Sequence, residues 1–308
     1  MPHFSIIIPV FNKEAFVDKT IKSVLSQTFA DFEIIVINDG STDNSEAKIL
    51  EYKDPRIIYY SKKNEGVSIS RNFGIGKVTS EFICFLDADD LWYPNFLETI
   101  HFYSKKLFQQ KVFATAYEIE TSKRIVPAHY SLKKTADFEL TNYFEASTKE
   151  SILWTSSAVF HKDVFTKAGN FNSDLNNFED IDLWIRIGLK YPIVFIWKVQ
   201  ARYVFDANGL SRNNNVINTK IDFSGYSSLE KTNPNLKLFL DLNRFSLAIK
   251  SKLADDSDNF NKYYKAIDLN KIGLKKRILL IFPSFILRIL ISIKLNLANM
   301  GLGNSFFR

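Results

Sequence analysis

The chain has 308 residues, 46% of them hydrophobic and 24% charged, enough to bury a substantial core and suited to one large domain with an appendage. The net charge of +6 is confined to one end: residues 271–308 hold seven Lys and Arg and no acid, whereas residues 1–270 hold 33 Lys and Arg against 34 Asp and Glu. The body therefore carries no electrostatic footprint for nucleic acid.

A single cysteine, Cys84, lies in an apolar run; it excludes an internal disulfide and suits a reducing compartment, as core filler. His3, His101, His129 and His161 are scattered without metal-ligand spacing, so a histidine-built zinc site is not expected. Strand-like sequence starts at once, so no secretory signal is expected either.

Phe4–Val10 is a short, β-branched, nearly continuous apolar run, the pattern of a strand covered on both faces. Val17, Ile21, Val24 and Leu25 follow at helical spacing. Phe32–Asn38 is a second buried strand stopped by Asp39-Gly40, with Ser41 or Thr42 placed to cap a helix running to about Tyr52. Ile57–Tyr60 reads as a strand, Ser68–Lys77 as a helix and Phe82–Leu86 as a strand; Pro94 then opens a helix to about Gln110. Further on, 112–120 and 124–127 read as a hairpin, Thr155–Phe160 as a strand, Phe178–Tyr191 as a helix and Ile193–Phe205 as strand-rich sequence. Helical periodicity over Val216–Leu253 predicts an extension packed behind the sheet or prolonging it.

Strands alternating with helices imply an α/β fold with parallel strands and right-handed crossovers. In such a sheet the loops after the strands gather at one edge, where open α/β folds bind ligands. Here those loops carry Pro9-Val10-Phe11-Asn12, Asp39-Gly40-Ser41 and Asp87-Ala88-Asp89-Asp90. A glycine-rich turn after the first strand is missing, which excludes the phosphate cradle of dinucleotide enzymes. A diphosphate held beside carboxylates needs a cation between them, so the acidic loops predict a metal.

Six stretches in order carry a resemblance. Ser5-Ile-Ile-Ile-Pro9-Val-Phe-Asn12-Lys-Glu14, Ser23-Val-Leu-Ser-Gln27-Thr28 and Glu33-Ile-Ile-Val-Ile-Asn-Asp39-Gly-Ser-Thr-Asp43 come first. Asn64-Glu-Gly66 with Arg71-Asn72-Phe-Gly74, Phe85-Leu-Asp87-Ala-Asp89-Asp90, and Glu179-Asp180 with Leu183-Trp184 complete the set. Together they resemble family 2 glycosyltransferases from about residue 4 to 211. The resemblance implies a GT-A, Rossmann-like fold, with a mixed, mostly parallel sheet flanked by helices and a C-terminal helical extension. It implies inverting transfer from a nucleotide sugar to a hydroxyl of a saccharide or lipid-linked saccharide, in cell-surface polysaccharide assembly.

Residue by residue, the resemblance makes Asp39 the carboxylate that accepts a hydrogen bond from the base, which suits the ring N–H of a pyrimidine or guanine. Pro9, Phe11, Asn12 and Glu14 frame base and ribose; Asn64, Gly66, Asp87 and Ala88 belong to the same nucleotide-sugar site. Arg71 either meets phosphate or pairs with Asp39 or Asp87. Asp89 ligates Mn²⁺ or Mg²⁺, hard cations that suit oxygen donors. Asp90 is a structural cap. Asp180 is the catalytic base and Glu179 orients the acceptor, while Trp184 is a sugar platform or an inward core residue. Asp206 stands where many relatives have histidine and is the second candidate metal ligand. UDP-sugars are the favoured donors, with GDP- and dTDP-sugars as alternatives. Two other functions compete: a sugar nucleotidyltransferase, contradicted by the first loop, and a catalytically silent scaffold of the same fold.

The expected organisation is a transferase domain over residues 1–215, divided at about 110 into nucleotide-binding and acceptor halves. A helical extension follows over 216–270, then a basic amphipathic tail over 271–308. In that tail Lys275-Lys276-Arg277 precedes an apolar stretch, Ile278–Ile293, broken by Pro283 and Arg288. This is short for a span of about 20 residues. A helix lying in the interface of an anionic inner leaflet is the reading, with docking on protein as the alternative. The expected place is cytoplasmic, peripheral on the inner face of the cell membrane.

Overall fold

The computed structural model describes residues 1–121, 124–204 and 221–299. The first half alternates β1 (Phe4–Val10), α1 (Val17–Leu25), β2 (Phe32–Asn38), α2 (Ser45–Leu50), β3 (Ile57–Ser61), α3 (Val67–Ile75), β4 (Phe82–Phe85), β5 (Leu91–Trp92) and α4 (Phe96–Lys106). β6 (Val112–Glu120), β7 (Ile125–Pro127), β8 (Phe138–Thr141), α5 (Tyr143–Ala146), β9 (Ala158–His161), α6 (Asp163–Ala168), α7 (Glu179–Gly188) and β10 (Ile193–Tyr203) follow. After the undescribed stretch come α8 (Ser227–Glu230), α9 (Pro234–Leu253), α10 (Ser257–Ala266), α11 (Leu274–Ile281) and α12 (Ser284–Asn299).

The strands join one sheet in the order β3-β2-β1-β4-β9-β6-β10-β5, with β7 on β6 and β8 on β10. β1 pairs in parallel with both β2 and β4, β2 with β3, and β6 with β10, while β9 runs antiparallel between β4 and β6. The sheet is mixed and mostly parallel. Every residue of β1 and β2 is buried, which is why both read as continuous apolar runs. Cys84 is buried in β4, and burial pushes its thiol up, as for an inert core residue. Gly74 lets α3 lie close on the sheet: a Cβ there would stand 2.5 Å from a methyl of Ile7.

Several local expectations differ from the structure. Ser41 and Thr42 cap no helix, since α2 starts at Ser45 and both residues bond instead to Asn12. The stretch read as a strand from Thr155 opens with a 3₁₀ turn, Thr155–Ser157. The helical stretch up to Leu253 is broken before Pro234, which sits in the first turn of α9 where its missing N–H does no harm. Phe282-Pro283 divides the apolar tail into α11 and α12, and among the described residues no helix is long and apolar enough to cross a membrane.

The chain forms two compact units. One comprises 1–128, 133–143 and 152–212 and holds the whole sheet; the other comprises 129–132, 144–151 and 213–308. Two short segments expected in the acceptor half thus belong to the second unit.

Candidate functional site

The loops after β1 and β2 are tied to each other. Asn12 sits at φ 51°, a left-handed conformation that asparagine tolerates. Its side-chain oxygen accepts from Thr42 N at 2.7 Å and its own N–H donates to Ser41 Oγ at 3.1 Å. Glu14 accepts from Asn44 N at 2.9 Å, and Lys13 N donates to Ser45 Oγ at 2.8 Å. The side-chain oxygens of Asn12 and Glu14 are thus spent on shaping the neighbouring loop. Pro9 is buried inside β1, whereas Phe11 is 40% exposed at the loop tip.

Asp39 follows β2 and is buried. Gly40 must be glycine here: its φ is 73°, and a Cβ would meet Asn64 N at 2.7 Å. That close approach brings the segment after β3 over the carboxylate. Asp39 accepts from Glu65 N at 3.0 Å, from Gly66 N at 2.9 Å and from the Lys62 ammonium. Asn64, in the same turn, is exposed. Gly66 is the N-cap of α3, so Asp39 is fastened to the helix that carries Arg71.

Arg71 is 4% exposed and bridges two carboxylates. Nη2 donates to Asp87 at 2.7 Å and Nη1 to Glu179 at 2.9 Å, with the guanidinium over the Phe171 ring at 5.1 Å. The two acids outweigh burial and hold its pKa above the ordinary value. Asp87 begins the acid loop after β4. Ala88 is buried and its carbonyl accepts from Thr20 Oγ1 at 2.9 Å, tying the loop to α1. Asp89 accepts from Lys13 Nζ at 2.6 Å. Asp90 is buried as a cap, accepting from Ser156 Oγ at 2.6 Å and Val204 N at 3.2 Å. Burial and the neighbouring Asp89 and Asp87 push Asp90 well above the carboxylate range, and burial also raises Asp89.

Asp180 opens α7 just after Phe178, which adopts φ 65°. Its side chain is partly buried and accepts from Ile181 N at 2.7 Å. Burial, with the Glu179 charge next, pushes its pKa up to about 6; the Ile181 bond and Arg71 pull against that. Contacts run from Asp39 through Gly66 and α3 to Arg71, and from Arg71 to Asp87 and to Glu179 beside Asp180. Lys13 links Asp89 to the first loop. Residues distant in sequence are therefore joined in one network at the sheet edge.

Trp184 is not brought to this edge. It is 1% exposed and stacked on Phe160 at 5.2 Å, because α7 turns this face into the core, so its ring offers no surface to a sugar. Asp206 lies outside the described residues. Lys13, Lys62 and Ser156 were not singled out by sequence; Lys13 stands inside the Asn12–Glu14 motif, while nothing local marks the other two.

A divalent ion fits the donor set only in one form. Among the described residues no group of three or more His, Cys, Asp or Glu is disposed to hold one. Asp89, with Asp87 two residues away, instead offers the one or two carboxylates that suffice when phosphate oxygens complete the shell. Asp89 already carries a cation, the Lys13 ammonium, which stands where an ion would bring its charge.

Comparison with known proteins agrees with this geometry. The Glycosyl transferase family 2 profile matches residues 5–169. An uncharacterised glycosyltransferase of Rickettsia typhi is 32% identical over 191 residues, 60% of this chain and 58% of that one. The Escherichia coli UDP-Glc:α-D-GlcNAc-diphosphoundecaprenol β-1,3-glucosyltransferase WfgD is 41% identical over 95 residues, 30% of this chain and 38% of that one. The chain thus spans less than two thirds of the length of these relatives. Crystal structures of S. aureus TarS 1–349 share the fold: one has a TM-score of 0.58 at 18% identity, covering 86% of this chain and 90% of that one. Another, with UDP-GlcNAc, has a TM-score of 0.58 at 16% identity, covering 86% and 91%. With the motifs, the mixed sheet and the profile in agreement, the chain belongs to glycosyltransferase family 2 and has the GT-A fold.

Proposed function

We propose that this glycosyltransferase transfers a sugar, with inversion, from a nucleotide-sugar donor to a hydroxyl of a saccharide or lipid-linked saccharide acceptor. The observation that carries the reading is the division of labour at the sheet edge. Asp39, Asp87 and Asp89 each hold a cationic partner, whereas Asp180 is poised at about 6. UDP-sugars are the favoured donors, with GDP- and dTDP-sugars as alternatives. The E. coli relative's name specifies UDP-Glc and a diphosphoundecaprenol-linked acceptor, and TarS has been crystallised with UDP-GlcNAc.

In this reading Asp39 receives the base N–H, and Asp87 and Ala88 line the ribose and sugar. The acceptor oxygen attacks the anomeric carbon as the bond from that carbon to the diphosphate oxygen breaks. The hydroxyl proton passes to Asp180, and the nucleoside diphosphate leaves. Asp89 would hold Mn²⁺ or Mg²⁺, whose chemistry there would be to supply positive charge to the leaving group. Arg71 keeps Asp87 and Glu179 in place, and Glu179 orients the acceptor.

The second unit supports a site at an anionic bilayer on the cytoplasmic face, in cell-surface polysaccharide synthesis. Leu274, Ile278, Ile281, Phe285, Ile289 and Ile293 stand exposed on α11 and α12, with basic residues and no acids from 271 onward. Co-sedimentation with phosphatidylglycerol vesicles, and none with phosphatidylcholine vesicles, is the expected outcome; indifference to both removes the membrane part.

The central test is calorimetry with UDP-, GDP- and dTDP-sugars, with and without Mn²⁺. Metal-dependent binding of one of them is expected. Binding of none favours a catalytically silent scaffold and overturns the reading.

A further inference from the structure

The four tryptophans differ in what their indoles do. Trp92 is buried and donates Nε1–H to the Ser156 carbonyl at 2.6 Å, Trp197 donates to Glu139 at 3.3 Å, and Trp184 fills the core. Trp154 is half-buried, and among the described residues no acceptor meets its N–H. Its ring is nevertheless held firmly, 4.6 Å from Tyr117 at a tilt of 40° and 5.8 Å from Tyr203 at 71°.

The segments that carry this cluster are clamped to the acid loop. Trp154 has extended backbone leading into the Thr155–Ser157 turn. Ser156 Oγ donates to Asp90 at 2.6 Å and accepts from Asp87 N at 3.2 Å. Tyr203 ends β10, and the next N–H, that of Val204, donates to Asp90 at 3.2 Å. A rigid aromatic surface, with an N–H that no acceptor meets among the described residues, therefore adjoins the carboxylates of the site. That combination suits a pyranose: the C–H face of the sugar lies on the indole and a hydroxyl takes the N–H.

We propose that Trp154, backed by Tyr117 and Tyr203, is the platform on which a substrate pyranose stacks, the place that Trp184 does not fill. The inference rests on the glycosyltransferase reading for its ligand. The ring that stacks belongs either to the donor's sugar or to the acceptor, and the experiment separates the two.

Saturation-transfer NMR on the full chain with Mn²⁺ uses UDP-glucose, UDP-GlcNAc, and methyl β-D-glucoside added with UDP. The wild type is expected to transfer saturation to both uridine and sugar protons. Trp154→Ala keeps the uridine signal and loses about tenfold in apparent affinity for the sugar part, while Trp154→Phe retains most of it. Loss confined to the hexose of the UDP-sugar assigns the platform to the donor; loss confined to the glucoside assigns it to the acceptor. Sugar signals unchanged in both arms, or missing already in the wild type, overturn the platform. A wild type without uridine signal refutes the donor reading instead, and the glucoside arm still judges the platform. Should Trp154→Ala fail to fold, Trp154→Leu decides by the same comparison, since it keeps apolar bulk without an aromatic face.

Discussion

The acids of the loops after β2 and β4 and the acid at the start of α7 differ in the cations that hold them. Asp39 is held by Lys62 and two backbone N–H groups, Asp87 by Arg71, and Asp89 by Lys13. Asp180 accepts one backbone N–H, lies beside Glu179, and is pushed up to about 6. A carboxylate that must hold a ligand gains from a fixed positive partner, as Lys13 offsets part of the burial that raises Asp89. One that must take a proton is best left less stabilised, so that its pKa approaches the working pH. The two regions share one mediator, since Arg71 touches both Asp87 and Glu179.

Removing the proton acceptor tests the contrast most severely. Asp180→Asn should lower transfer about 10³-fold while nucleotide affinity, read by calorimetry, changes by no more than about twofold. On the other side, Asp89→Asn should lower transfer about 10²-fold and abolish the dependence of rate on Mn²⁺ concentration, seen in a metal titration. A loss of rate with the metal dependence intact would move the ion away from Asp89.

Arg71→Met attacks the mediator. It leaves two partly buried carboxylates unpaired and should cost about 3 kcal/mol in urea unfolding. It should also shift the acid limb of the kcat/KM profile. In the wild type that limb should lie near pH 6, because Asp180 works as a base only when ionised; activity should fall about tenfold per pH unit below it. Arg71 lowers the Asp180 pKa, so the variant's limb should move to higher pH. An unmoved limb would separate Asp180 from this network.

Asp90→Asn should have the smallest effect. The folded pKa of Asp90 is raised above its unfolded value, so its ionisation favours folding least once the pH has risen past both. Ionising Asp90 should therefore cost stability as pH climbs from the acid side, and the amide variant, which lacks that cost, should gain melting temperature relative to the wild type as pH rises.

Much of the fold was legible because its signals are local. The apolar runs Phe4–Val10 and Phe32–Asn38 became buried strands, and the repeated strand–helix alternation gave the parallel pairing. The candidate acids were legible for a related reason: each closes a strand or opens a helix, and parallel topology brings such positions to one edge. The errors fall where a partner distant in sequence decides. Ser41 was read as a cap but is engaged by Asn12 from the first loop. Of the two readings open for Trp184, platform or core residue, the position of Phe160 in the sheet selects the core by turning that face inward.

By itself the sequence determined the strand–helix alternation from β1 to β4, the family, and which carboxylates stand at chain positions that topology gathers together. Periodicity and turn residues act over a few neighbours, and a local pattern is enough to read them. Tertiary structure alone decided which cation each acid receives: Lys13 for Asp89, Lys62 for Asp39, and Arg71 for Asp87 and Glu179 together. Ion pairing and burial depend on distances between segments far apart along the chain. They set which acid a cation holds and which one is pushed up to about 6, and no pattern within a single segment encodes them.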